Sequence, residues 1–154
     1  MIPREYLGPY LASNAIALAL LGVAFRKPTW VRWATIVIFA WAAWTNASLS
    51  LTNPLEYQGF GEWAVLGPYR RFISGWFRDH TAWLVLPIAA GQLGIAVLLL
   101  LNSRWSRPLA AGSAIVFLLA IAPLGVGSAF PFSLTYGLAL LIMARRLDQT
   151  EVVT

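Results

Sequence analysis

The sequence predicts an all-α integral membrane protein, a helical bundle of five spans with one amphipathic helix lying at the membrane interface. The chain of 154 residues is 59% hydrophobic and only 11% charged, against about a quarter charged in soluble domains. Uncharged runs of about 18 to 20 residues recur along it, each long enough at ~1.5 Å per residue to cross a ~30 Å hydrocarbon core. They account for most of the chain, so no soluble catalytic domain is expected within residues 1–154.

The first run covers residues 7–25. Its position invites comparison with a secretory signal, but Glu5 weakens a positive leading region. Arg26, Lys27 and Pro28 also stand where a small-residue cleavage site belongs, so the run reads as a retained helix. The second, third and fourth runs cover residues 33–51, 83–101 and 109–126. A fifth, 130–143, is short for a span. The stretch 109–143 is nevertheless too long for one helix, and Pro123, Gly125, Gly127 and Pro131 break it, so two helices joined by a tight turn are expected.

Charge supports five spans with the N-terminus outside and the C-terminus inside. The inner segments then hold Arg26, Lys27, Arg32, Arg104, Arg107, Arg145 and Arg146. The outer ones hold Arg4, Arg70, Arg71 and Arg78 beside Glu5, Glu56, Glu62 and Asp79. Trp30, Trp33, Trp83 and Trp105 fall at the expected membrane boundaries, where indole rings are favoured.

Between the second and third spans lies LGPYRRFISGWFRDH. Tyr69, Phe72, Ile73, Trp76 and Phe77 recur at helical spacing, with Arg70, Arg71, Ser74 and Arg78 on the rest of the circumference. That pattern predicts an amphipathic helix over residues 68–79, opened by Pro68 and followed by Asp79 or Thr81 as cap of the next span. Two readings fit it. The helix lies among lipid headgroups with its rings down, or it lids a cavity and turns Arg70 or Arg71 toward an anionic or carbonyl group, with His80 at the edge as a proton-exchanging group.

Polar residues that stand out within the spans are Asn14, Asn46 and Gln92, with Thr45, Ser48 and Ser50. Asn14, Asn46 and Gln92 serve either as hydrogen-bonding links between helices or, for Asn46 and Gln92, as donors to a quinone carbonyl or lipid headgroup. Small residues such as Ala42, Ala43, Ala89, Gly91, Gly94 and Gly112 allow close helix approach, and Pro87 and Pro123 are candidate kinks.

Several chemistries are disfavoured. The chain has no cysteine and one histidine, so a thiolate cluster, a disulfide, a covalently held haem or a metal centre is not expected. The spans carry no Asp, Glu, Lys or Arg, which leaves a buried proton relay unsupported. No phosphate-binding glycine loop or Ser/His/Asp set is present, and the excess of arginine fits membrane orientation rather than nucleic acid.

The third and fourth spans, WLVLPIAAGQLGIAVLLLLNSRWSRPLAAGSAIVFLLA, resemble the DoxX/DoxD family of small prokaryotic membrane proteins. The shared pattern is small-Gly-polar-Leu-Gly before a leucine run, a short Arg-containing turn, and a helix opening in small residues. The preceding YRRFISGWF also fits. The resemblance covers about residues 33–146 and leaves the first span as an addition to a four-helix core. Members usually carry Glu where this chain has Gln92, which removes the one buried acid a proton-coupled role needs.

The resemblance implies a quinone-facing or redox-associated subunit of the prokaryotic inner membrane. The expected function is a small accessory subunit of a larger redox or energy-transducing complex, touching other membrane subunits and lipids and contributing to a quinone or lipid pocket. Its ligand residues would be Asn46, Arg70, Arg71, His80 and Gln92, and its docking residues Tyr69, Phe72, Ile73, Trp76 and Phe77. The alternative is a DoxX-like quinone oxidoreductase membrane subunit acting with a soluble partner.

Overall fold

The computed structural model describes residues 4–151, with side chains from Leu7 to Gln149. The domain expected over 1–154 is thus described between those bounds, and Arg4 and Glu5, assigned above to the outer side, lie outside the described side chains. Among the described residues every regular element is helical. Five long helices are present: α1 (Arg4–Ala24), α2 (Pro28–Thr52), α6 (Thr81–Leu101), α7 (Ser106–Ile121) and α8 (Phe132–Glu151). Three short ones, α3 (Gly59–Trp63), α4 (Gly67–Ser74) and α5 (Trp76–Asp79), lie between α2 and α6.

Four segments are long and apolar enough to cross a membrane: Leu7–Ala24, Pro28–Thr52, Thr81–Leu101 and Ser106–Ser128. They mark the chain as a membrane protein, and large apolar side chains such as Val37, Leu100, Val116 and Leu119 stand exposed around them. The second helix begins earlier than expected because Pro28 suits the first turn, where its missing N–H has no partner to lose. This draws Arg32 into the helix. α6 runs unbroken through Pro87.

The last helix begins near its expected start but continues to Glu151. Its buried residues Tyr136, Ala139, Leu140, Met143, Ala144 and Leu147 form one helical stripe, which outlasts the apolar run and carries the helix past Arg145 and Arg146.

Side-chain bonds fix the directions of the helices. Arg32 near the start of α2 donates to the carbonyl of Leu99 near the end of α6 (3.0 Å), while Asn46 and Gln92 meet farther along, so α2 and α6 are antiparallel. Arg107 likewise reaches the Leu147 carbonyl at 3.4 Å, placing the start of α7 beside the end of α8. One end of the bundle therefore holds the short turns 25–27 and 102–105, and the other holds the segment 53–80. These are called here the turn end and the cap end.

The turn end is closed by small residues. Ala17, Ala24, Ala110, Ala114 and Ala139 are fully buried there or along the axis, packed with Val31, Leu99, Leu140 and Met143. Alanine lets helices approach closely, which is what drives packing in lipid. Ser103 and Ser106 exchange bonds between hydroxyl and backbone N–H at 2.8 and 3.0 Å and shape the α6–α7 turn.

At the cap end the chain is irregular. α7 stops at Ile121, and a 3-10 segment, Ala122–Ser128, follows, with Gly125 at φ +62°. A Cβ at Gly125 would stand 2.7 Å from the Trp63 carbonyl oxygen, so this close approach requires glycine. Breaking a helix in apolar surroundings frees carbonyls that need donors. Four such donors are supplied: Tyr69 Oη to Ala120 (3.0 Å), the Val65 N–H to Pro123 (2.9 Å), Asn14 Nδ2 to Ala129 (2.9 Å) and Tyr10 Oη to Phe130 (2.7 Å).

The helix expected over 68–79 is two helices, α4 and α5, split at Gly75 (φ −103°, ψ −116°). A Cβ there would meet the Arg71 carbonyl oxygen at 2.8 Å. The cap predicted for α6 also differs. Thr81 Oγ1 donates to the carbonyl of Phe77 at 2.9 Å, and His80 is the N-cap residue, with no side-chain cap bond.

Candidate functional site

Where the helices part at the cap end they enclose a cavity of about 720 Å³. α1 contributes Tyr10 and Ser13, α2 from its middle toward the cap contributes Phe39, Trp41 and Asn46, and α6 contributes Gln92. α8 contributes Phe132 and Tyr136, and the segment around α3 supplies Glu56, Phe60, Glu62 and Trp63 as a roof. The lining is mainly aliphatic and aromatic, with few polar groups, a composition typical of sites for small apolar molecules.

The polar groups are ordered. Tyr57 Oη lies 2.9 Å from Asn46 Oδ1 and 3.2 Å from the Asn46 carbonyl oxygen. Both are acceptors, so the tyrosine donates, and the amide of Asn46 must present its nitrogen elsewhere. Asn46 Nδ2 then donates to Gln92 Oε1 at 2.9 Å.

With its oxygen occupied, Gln92 is left with its Nε2 group, which makes no hydrogen bond among the described residues. Gln92 is only 3% exposed and lines both this cavity and a second groove of about 680 Å³ between α6 and α7. The chain Tyr57–Asn46–Gln92 thus ends in an amide N–H donor on a residue surrounded mainly by apolar side chains. Burial pushes the Tyr57 hydroxyl above the usual tyrosine range, so it stays protonated and keeps its role as first donor through neutral pH.

Of the ligand residues expected from sequence, the structure brings Asn46 and Gln92 into contact and places the other three away from the cavity. Arg70 is exposed, and its Nε donates to the Ala64 carbonyl at 2.7 Å. Arg71 is exposed on α4. His80 is exposed too, its ring stacked on Trp76 at 4.4 Å between centroids and its Nδ1 donating to the Trp76 carbonyl at 2.9 Å. No arginine, lysine or histidine lines the cavity among the described residues.

The aromatic stripe is divided as well. Ile73 and Phe77 are buried with Tyr57 and Val85 in a small second core, whereas Phe72 and Trp76 are exposed and stacked on one another at 5.9 Å. Tyr69 is half-buried, tied to Ala120. Phe77 packs edge-on against Tyr57 at 6.0 Å and so holds the first member of the polar chain. Tyr57 is the residue that sequence reading passed over. The available signal was a tyrosine in PLEYQ, one short turn beyond the polar end of α2.

Among the described residues no group of three or more His, Asp or Glu is placed to hold a metal ion. The serines of the lining are bonded locally, Ser13 Oγ to Pro9 O (2.8 Å) and Ser128 Oγ to Gly125 O (3.1 Å), so neither is paired with a base. The arrangement offers a hydrogen bond to a carbonyl or ether oxygen and an apolar enclosure for the rest of a molecule. Comparison of the chain with protein-family models, with characterised proteins and with solved structures finds no match.

Proposed function

We propose that the chain is a small accessory membrane subunit of a larger redox or energy-transducing complex, and that it holds the carbonyl head of a quinone-like lipid. The observation that carries the reading is the unpaired Gln92 Nε2 donor on the wall of an apolar cavity. A carbonyl oxygen there accepts a bond that the protein leaves unmade, and the cavity walls take the ring. The redox assignment comes from the resemblance to the DoxX/DoxD family rather than from geometry. The role is non-catalytic: the polar chain donates hydrogen bonds and supplies no electron or nucleophile.

In this reading α8 is the fifth span, its 20 residues and its buried stripe supporting the assignment. The N-terminus and cap face outward in the prokaryotic inner membrane, the C-terminus faces inward, and the split α4–α5 pair lies in the interfacial layer. Phe72 and Trp76, exposed on the cap beside Arg71, form the docking face for a partner subunit. The same exposed face favours a second reading, a DoxX-like quinone oxidoreductase membrane subunit on which a soluble partner sits.

Gentle purification of the tagged protein from its native membrane, with mass spectrometry of the accompanying proteins and of the lipid extract, tests both. Stoichiometric larger membrane subunits together with quinone are expected. Recovery with a soluble redox protein alone favours the second reading, and recovery without quinone or partner sinks both.

A further inference from the structure

Glu56, Glu62, Pro9 and Trp41 line the cavity yet are exposed, and they mark where it opens. Two of them belong to the roof and two to α1 and α2. Trp41, 68% exposed, is midway along α2, about 16 Å below the end of that helix at the cap. The opening therefore runs down the side of the bundle to hydrocarbon depth.

The packing of α1 explains the gap. Its fully buried residues, Ala17 and Ala24, lie toward the turn end. Its other half is held by Tyr10 and Asn14, whose bonds go to Phe130 and Ala129 ahead of α8. No side-chain hydrogen bond joins α1 to α2 among the described residues.

The roof, by contrast, is fastened. Val65 N–H bonds to Pro123 O, the Trp63 carbonyl abuts Gly125, and the ring of Phe60 sits so close to Gly127 that a Cβ there would be 2.7 Å from it.

From this contrast we propose that the cavity is loaded sideways from the bilayer, through the gap between α1 and α2, by a neutral-headed molecule with a flexible apolar tail. The head passes Trp41 and reaches Gln92, while the tail stays in the gap and continues into lipid. Leaving the tail in hydrocarbon avoids desolvating it into water at any stage, and the acids at the roof disfavour an anionic head. The inference rests on the cavity reading above and adds the route of entry and the place of the ligand's tail.

The chain has no cysteine, so single cysteines can be labelled cleanly. Ser13→Cys and Ala42→Cys place a bulky maleimide at the α1–α2 gap. Ser113→Cys places one in the second groove, of about 680 Å³ on the α6–α7 side, which Gln92 also lines and which is the rival route to it. The probe is a short-tailed ubiquinone analogue binding to the protein in lipid nanodiscs. Labelling Ser13→Cys or Ala42→Cys is expected to weaken binding by about tenfold or more relative to the same unlabelled variant, and labelling Ser113→Cys to leave it unchanged.

Unchanged binding after labelling at both gap positions overturns the route. Loss on labelling Ser113→Cys alone overturns it in favour of access between α6 and α7. Absence of binding to the unsubstituted protein overturns the cavity reading itself, which separates that failure from failure of the route.

Discussion

At the turn end, alanines and short side chains bring the helices into contact, and two arginines embedded in the helices, Arg32 and Arg107, donate to the carbonyls of Leu99 and Leu147. At the cap end the same helices separate around a cavity, and the polar side chains there, Asn46 and Gln92, bond to each other and leave one donor over. The difference comes from side-chain size and backbone breaks. Small residues in regular helices close a bundle, whereas Pro123, Gly125 and a lining of Phe39, Phe117 and Tyr136 hold it open. The turn-end arginines tie helix to helix through backbone carbonyls, whereas the amide pair at the cap end retains a side-chain donor.

The largest expected effect comes from undoing the roof. Phe77→Ala removes a ring packed on Tyr57 and should lower stability by about 3–5 kcal/mol. Trp76→Ala, its exposed neighbour, should leave the unfolding midpoint nearly unchanged while reducing recovery of a partner subunit. Thermal unfolding in detergent beside co-purification separates the two. Equal effects on stability would remove the distinction drawn within the aromatic stripe.

Adding bulk sharpens the contrast between the ends. Ala110→Leu, fully buried at the turn end, should cost about 1–3 kcal/mol by overpacking. Ala42→Leu, on the cavity wall, should stay within about 0.5 kcal/mol of the parent and weaken quinone binding. Unfolding and binding measured on both variants check this pair.

Smaller still is the pH effect. Because burial raises the Tyr57 hydroxyl above its ordinary value of 10.0, its contribution to stability is fully present below that pH and is lost as pH rises beyond it. The unfolding midpoint is expected to fall with pH only above about 10 on this account, and Tyr57→Phe should remove that component. A flat alkaline profile in the parent protein would exclude it.

The helices were legible because uncharged runs of spanning length have few other solutions. The break at Pro123 and Gly125 was legible for the same reason as any proline and glycine interruption. The end of α8 was not, because its last turns are held by a buried stripe that includes Ala144 and Leu147 while Arg145 and Arg146 point away.

Periodicity found the stripe at 69–77 but could not say which residues face protein, since Gly75 splits the helix and turns its two parts separately. Asn46 and Gln92 were visible as polar residues in apolar runs. Their partner Tyr57 was not, because it acts from a short 3-10 segment that carries no periodic signal. Arg32 looked like a loop residue until Pro28 proved to start the helix.

The most direct test of the central claim is equilibrium binding of a ubiquinone analogue to the protein in lipid nanodiscs, comparing the parent with Gln92→Leu, Arg71→Ala and His80→Ala. Gln92→Leu should weaken binding by about tenfold, while Arg71→Ala and His80→Ala bind as the parent does. Parent-like binding by Gln92→Leu, or loss confined to Arg71→Ala, would contradict the placement of the ligand head against Gln92.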